Sequence, residues 1–213
     1  LHKAIRRQRQ MCIRDSPNAL PQNFVNRLTP NFQAAFKRKH ILMLGSLKLY
    51  KSPLEFIELT KRLPQFIFVL VINDAKENID FFIKEYKINI SKNLTIYPQQ
   101  NDVVPFYNQT SLVLNLSNKK QFVETFGLTA LEAMSAGLPV IVPTEGGIAE
   151  IVVDGENGYK IDVQNLNQIA ECIKTILSDE TLYMELAQNA LAYSKRFSEA
   201  KMVNCIEMIL NRK

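Results

Sequence analysis

The sequence predicts an α/β fold, a doubly wound and mostly parallel six-strand sheet followed by a helical C-terminal tail. Three observations carry this. Short apolar runs, among them His40–Leu44, Phe66–Ile72 and Leu138–Val142, alternate with stretches of helical spacing, as in βαβ units whose strands are covered on both faces. Glycine or turn residues end several of these elements: Gly45, Asn73–Asp74, Gly137, Gly146–Gly147 and Asn157–Gly158. Beyond Ile161 only helical periodicity remains.

In chain order, Leu1–Ser16 is basic and lacks an apolar pattern that could pack. Its end, Met11–Ser16 (MCIRDS), is what the end of a sequencing-library transposon adapter gives on translation, so residues 1–16 are set aside as an artefact. A natural basic arm is the alternative. Residues 17–39 read as a linker remnant, proline-bearing and polar, ending in the solvated cluster Lys37–Arg38–Lys39. Residues 40–213 form the domain.

The strand His40–Leu44 ends at Gly45, and the loop GSLKLYKS leads to a helix over Ser52–Leu63. There Ser52 is expected as N-cap, Pro53 as first residue, and Leu54, Phe56 and Ile57 as the buried side. Phe66–Ile72 is the second strand. Ala75–Tyr86 is helical through Ile79, Phe82 and Ile83, Leu94–Tyr97 is the third strand, Asp102–Tyr107 a short helix or turn, and Ser111–Leu116 the fourth strand. In the tail, Leu166–Leu177 and Thr181–Phe197 carry apolar faces, the second through Leu182, Leu186, Ala190 and Tyr193. Ser198 is expected to cap a last helix whose stripe is Met202, Cys205, Ile206 and Ile209. That stripe is expected to face water in this chain.

The most informative stretch is Glu124–Ile161, ETFGLTALEAMSAGLPVIVPTEGGIAEIVVDGENGYKI. Gly127 and Thr129 stand at the opening of a helix, where the first N–H groups lack intrahelical partners and carry partial positive charge. Such an end seats phosphate. Thr125, Thr129, Glu132, Ser135 and Ala136 share one small, polar face, leaving room for a ligand. Glu132 can accept hydrogen bonds from sugar hydroxyls there, and Glu124, on the loop before the helix, can reach a second part of the same ligand. Taken singly, either carboxylate would equally serve as a surface residue or a partner for the helix dipole. It is their combination with the FG, GLPVI and GG elements that points to a site.

ETFGLTALE resembles the E-x7-E signature of retaining glycosyltransferases of family 4, which have the GT-B architecture, and the likeness runs without a gap to Ile161. It extends more weakly from about Pro17 to the C-terminus. The resemblance implies a Rossmann-like, nucleotide-sugar donor-binding domain, one half of a GT-B fold, with the acceptor-binding N-terminal domain missing upstream of Pro17. It implies transfer of a sugar from a nucleoside diphosphate sugar to a hydroxyl of a glycan, lipid-linked or small-molecule acceptor. By the same likeness Glu132 holds the ribose, and Glu124 orients the donor sugar as the catalytic carboxylate. The N–H groups at Gly127, Leu128 and Thr129, with Lys51, stabilise the diphosphate, and the backbone at Asp102–Val103 contacts the base. The family's loop after the first strand commonly reads G-R-L-x-x-x-K-G. Here Lys51 keeps the lysine, while Ser46 stands at the arginine and Ser52 at the final glycine, with Lys48 a substitute for the missing charge. No metal and no cofactor are expected.

Composition agrees with one globular domain: 213 residues, 46% hydrophobic and 22% charged. Five of the 26 Lys/Arg and one of the 21 Asp/Glu lie in residues 1–16, so without that segment the net charge falls from +5 to +1. Basicity therefore gives no reason to expect a nucleic-acid partner. No apolar run is long enough to span a bilayer, and a cytoplasmic location is expected, with peripheral membrane association left open for a full-length enzyme. The three cysteines lack metal-ligand or disulfide spacing, and Cys172 and Cys205 are expected as buried thiols. A dinucleotide dehydrogenase is disfavoured because no complete G-x-G-x-x-G follows the first strand. A non-catalytic nucleotide-sugar-binding module and a GT-B-type sugar-nucleotide epimerase remain as alternatives.

Overall fold

A computed structural model describes residues 18–211. The segment 1–16 lies outside that range, as does the Ile209 side chain. In chain order the elements are α1 (Gln22–Val25), α2 (Phe32–Arg38), β1 (His40–Gly45), α3 (Pro53–Arg62), β2 (Ile67–Ile72), α4 (Lys76–Glu85), β3 (Leu94–Tyr97) and α5 (Val104–Asn108). They continue with β4 (Leu112–Leu114), α6 (Leu128–Ser135), β5 (Val140–Val142), α7 (Gly147–Glu150), β6 (Gly158–Lys160), α8 (Leu166–Ser178), α9 (Glu180–Ser194) and α10 (Glu199–Leu210).

The strands form one sheet in the order β3-β2-β1-β4-β5-β6, every pairing parallel. β1 lies against β2 along its whole length, from His40 opposite Ile67 to Gly45 opposite Ile72. On its other side Ile41 and Leu42 face Leu112 and Val113 of β4. A parallel sheet needs cover on both faces, and the apolar strands supply it: Ile41, Leu42, Phe68, Leu112, Leu114 and Ile141 are buried. The strand order reverses between β1 and β4. Crossovers diverge there, and a crevice opens beyond the strands' carboxyl ends.

The segment read as a linker is partly helical. Leu20, Leu28 and Ala35 are buried in the core, and Phe24, Phe32 and Phe36 pack against it. Asn31 caps α2 by accepting the Ala34 N–H at 3.0 Å, and Asn108 ties the segment to α5 through Thr29 N and Arg27 O. Proline and polar residues mask this apolar pattern in the sequence.

The tail is helical as expected, with two shifts. α9 turns Tyr183, Leu186, Ala187 and Ala190 fully inward, where Leu182 and Tyr193 had been expected. The Tyr183 hydroxyl donates to Ser111 O at 2.8 Å, which makes burial of that ring feasible. α9 packs on α6, α2 and α8. α10 is capped by Ser198, which accepts Lys201 N; none of its described side chains is buried, and Val203, Ile206 and Met208 are 46%, 39% and 57% exposed. Cys172 and Cys205 are half-buried rather than buried. Desolvation pushes the Cys172 thiol up to about 12, whereas Cys205 sits on the uncovered α10.

Ser52 departs from expectation. It occupies the N-cap position of α3, but with φ 58° and ψ 46°, and its side chain caps nothing. A 3-10 turn at Leu49–Lys51 closes with Ser52 N donating to Leu49 O at 2.9 Å, so the chain must leave through the left-handed region. The hydroxyl ends buried without a hydrogen-bond partner among the described residues. The left-handed backbone costs a non-glycine residue about 1–2 kcal/mol, and an unpaired buried hydroxyl about 1–3 kcal/mol. The greater unfolded-state freedom of glycine offsets about 0.4–1 kcal/mol. Ser52→Gly is therefore expected to stabilise the chain by about 1 kcal/mol, read as a thermal midpoint raised by about 2–4 °C in circular dichroism. An unchanged or lower midpoint would show that the turn carries no strain.

Candidate functional site

The crevice at the β1/β4 reversal holds a cavity of about 500 Å³, within the range of small-ligand sites. Gly45, Ser46 and Lys51 line it from the loop after β1, Asn73 from beyond β2, and Gln100 and Val103 from the loop after β3. Asn115–Ser117 line it after β4, and residues 124–129 close it at the start of α6. Ser46, Lys51, Val103, Glu124, Gly127, Leu128 and Thr129 thus meet at one place. Asp102, Glu132 and Lys48 do not line it.

The N-terminus of α6 is the cavity's positive wall. Ala130 N and Leu131 N return to Gly127 O at 3.0 and 3.3 Å. No side chain caps the helix, and the N–H groups of Gly127, Leu128 and Thr129 have no acceptor among the described residues. Gly127 has φ 81°, and a Cβ there would collide with Ile148 of α7. Only glycine admits both the left-handed entry and that close packing. Thr129 is fixed by Asn115, whose Nδ2 lies 3.4 Å from Thr129 Oγ1.

Glu124 is held from two sides. Gly147 N donates to the Glu124 carbonyl at 2.8 Å, and a Cβ on Gly147 would run into Thr125 O. At the side chain, Ser117 Oγ donates to Glu124 Oε1 at 2.7 Å and Lys51 Nζ is ion-paired with the same oxygen. The two side chains are 23% and 12% exposed for Lys51 and Glu124, so their attraction is screened less than in a surface pair.

Glu132 lies one turn into α6. Tyr107 Oη donates to its Oε2 at 2.5 Å. That oxygen's partner is fully buried, while Oε1 has no partner among the described residues. Burial pushes the Glu132 carboxyl above its ordinary value, and the Tyr107 hydrogen bond opposes that shift. Burial, then the Glu132 charge, drives the Tyr107 phenol well above its ordinary range. Tyr107 was missed in the sequence, although Val103, Val104 and Tyr107 carry the spacing of one helix face. The Asp102 carboxylate is ion-paired with Arg27. The hydrogen bond from Arg27 holds its carboxyl below the ordinary value, and it accepts Val104 N at 3.2 Å, starting α5. Lys48 is exposed, 5.8 Å above the Tyr50 ring. Ser117 was the other omission, because a serine after a strand reads as an ordinary loop residue.

The family model described as "Glycosyl transferases group 1" matches residues 27–193. N-acetyl-alpha-D-glucosaminyl L-malate synthase of Bacillus anthracis is 29% identical over 142 residues, 66% of this chain and 36% of that protein. The crystal structure of the C-terminal domain of a glycosyl transferase group 1 family protein from Francisella tularensis aligns with a TM-score of 0.65 at 26% identity. It covers 82% of this chain and 98% of that one. An Anabaena protein crystallised with UDP-glucose has a TM-score of 0.70 at 22% identity, over 90% of this chain and 53% of that one. The chain spans well under half the length of the curated relatives it matches. Among the described residues no helix is long and apolar enough to cross a membrane.

Two outcomes follow from this geometry. Gly147→Ala should lower stability by about 1–3 kcal/mol in urea denaturation, the cost of overpacking; an unchanged midpoint would mean the Thr125 carbonyl yields freely. The folded Glu132 carboxyl keeps its proton to higher pH than the unfolded one. Its contribution to stability is thus present below the ordinary 4.5 and lost as pH rises through the raised folded value. Glu132→Gln should flatten the fall of thermal midpoint with pH just above 4.5, and an identical slope would count against a perturbed carboxyl.

Proposed function

The chain belongs to the group 1 glycosyl transferases, and from that premise we propose that its cavity binds the nucleoside diphosphate of a sugar donor. The carrying observation is the convergence on one cavity of three unpaired N–H groups at the start of α6 and the ammonium of Lys51. Helix dipole, N–H donors and lysine are the groups that suit a diphosphate. The likeness of the fold to the Anabaena protein crystallised with UDP-glucose is consistent with this reading.

The proposed reaction is that of a retaining, family 4 type enzyme of GT-B architecture: a hexosyl-type sugar passes from the diphosphate to an acceptor hydroxyl with retention at the anomeric carbon. The bond from the anomeric carbon to the diphosphate oxygen breaks, the acceptor oxygen bonds to that carbon, and the acceptor's proton passes to the departing diphosphate oxygen. Lys51 and the Gly127–Thr129 N–H groups would stabilise the charge gathering on the leaving diphosphate. Glu124, on the opposite side of Lys51, would orient the sugar. Glu132 would offer Oε1 to the ribose, its Oε2 being taken by Tyr107. Val103 would meet the base through its backbone N–H, which has no acceptor among the described residues. The acceptor, a glycan, lipid-linked or small-molecule hydroxyl, would be held by a second domain facing this one.

The test is calorimetry with UDP, GDP and ADP. One of them should bind the chain, and Lys51→Met should weaken it by about 10–100-fold, as removal of a charged hydrogen-bond partner does. Absence of binding for all three at millimolar concentration would overturn the reading. Binding without sugar transfer, when acceptors and a facing domain are supplied, would favour the non-catalytic module instead.

A further inference from the structure

Lys51 is held by more than its carboxylate. Its Nζ lies 4.4 Å from the centroid of the Phe122 ring and 5.7 Å from that of Tyr50. Those two rings stack on each other, centroids 4.7 Å apart and planes 20° from parallel. Tyr50 belongs to the loop after β1 and Phe122 to the loop after β4, and Asn118 N donates to Tyr50 O at 2.7 Å, stitching the same two loops through the backbone. The ammonium therefore has Glu124 and Ser117 on its polar side and an aromatic face on the other.

We propose that the Tyr50–Phe122 stack positions Lys51 for the donor diphosphate. The proposal rests on the nucleotide reading above. A lysine side chain loses appreciable rotamer freedom when fixed. A ring face attracts its ammonium without consuming hydrogen-bond donors, unlike a carboxylate. The three ammonium hydrogens thus remain for Glu124, Ser117 and a phosphate oxygen. Because the rings belong to loops on either side of the crevice, the stack also fixes how far Lys51 stands from Glu124.

The test compares Phe122→Leu, which keeps an apolar side chain but removes the ring, with Phe122→Tyr, which keeps the ring. The ligands are the diphosphate that binds the unaltered chain and its parent nucleoside, which lacks any group for Lys51. Phe122→Leu should weaken the diphosphate by about 3–10-fold and leave the nucleoside unchanged, while Phe122→Tyr should bind both like the unaltered chain. Equal loss for diphosphate and nucleoside would mark a merely structural role, and no loss would overturn the proposal. A second readout needs no nucleotide. The Lys51 ε-methylene protons should be shifted upfield in NMR by the Phe122 ring current, and Phe122→Leu should abolish that shift. If that shift is missing from the unaltered chain, the positioning contact is overturned. If it is present while no diphosphate binds, the contact stands and the nucleotide reading is what fails.

Discussion

The reversal of strand order between β1 and β4 governs the rest of this molecule. Six parallel strands must be covered on both faces, and their connections can diverge only where the winding changes direction. At that point the carboxyl ends of two adjacent strands stay open. Both strands send loops into the opening, one carrying Lys51 and the other Ser117 and Glu124. The glycines beside it follow from the same crowding. α7 packs so closely beneath the Glu124 loop that neither Gly127 nor Gly147 has room for a Cβ.

The electrostatics of the cavity are arranged in depth. Its wall is the positive end of α6, its floor side carries the Lys51–Glu124 pair, and the second carboxylate, Glu132, is withdrawn one turn and bound by a buried phenol. An anion entering here would face the dipolar N–H groups and the Lys51 ammonium, with Glu124 already paired to that ammonium. Removing Glu132 from the cavity surface costs some ionisation, visible as the upward shift of its carboxyl. It also spares the anion a like charge at close range.

Much of this was legible in the sequence, for identifiable reasons. The sheet announced itself because parallel strands are continuous apolar runs: β1, β2 and β3 match their runs to within one residue, while β4 and β5 lie inside theirs and are shorter by up to two residues at an end. The start of α6 was legible because glycine, threonine and glutamate at that spacing have few other uses. Side-chain destinations were less so. Glu132 was placed at the ligand from pattern and resemblance, but neither can reveal that the Tyr107 phenol takes one of its oxygens. Ser52 read as a cap because serine before proline usually is one; the left-handed backbone that denies it that role is set by the preceding turn. The helices α1 and α2 were hidden because their apolar residues are interspersed with proline and polar residues. Tyr183 escaped notice for a related reason. Its hydroxyl is paired with a carbonyl of β4's approach, distant in the chain.

The loops that form the cavity also set when it can exist. Lys51 and Glu124 are 73 residues apart in sequence, and β1 reaches β4 only across the whole β2–β3 excursion. Contacts of such separation carry a loop-closure cost that local contacts do not. A chain that has assembled only β1, β2 and β3 has Lys51 on its loop but lacks Ser117, Phe122 and Glu124, the groups that hold its ammonium. Ligand binding at this crevice thus requires β1 and β4 to be joined, and a ligand bound there stabilises the two sides of that junction together.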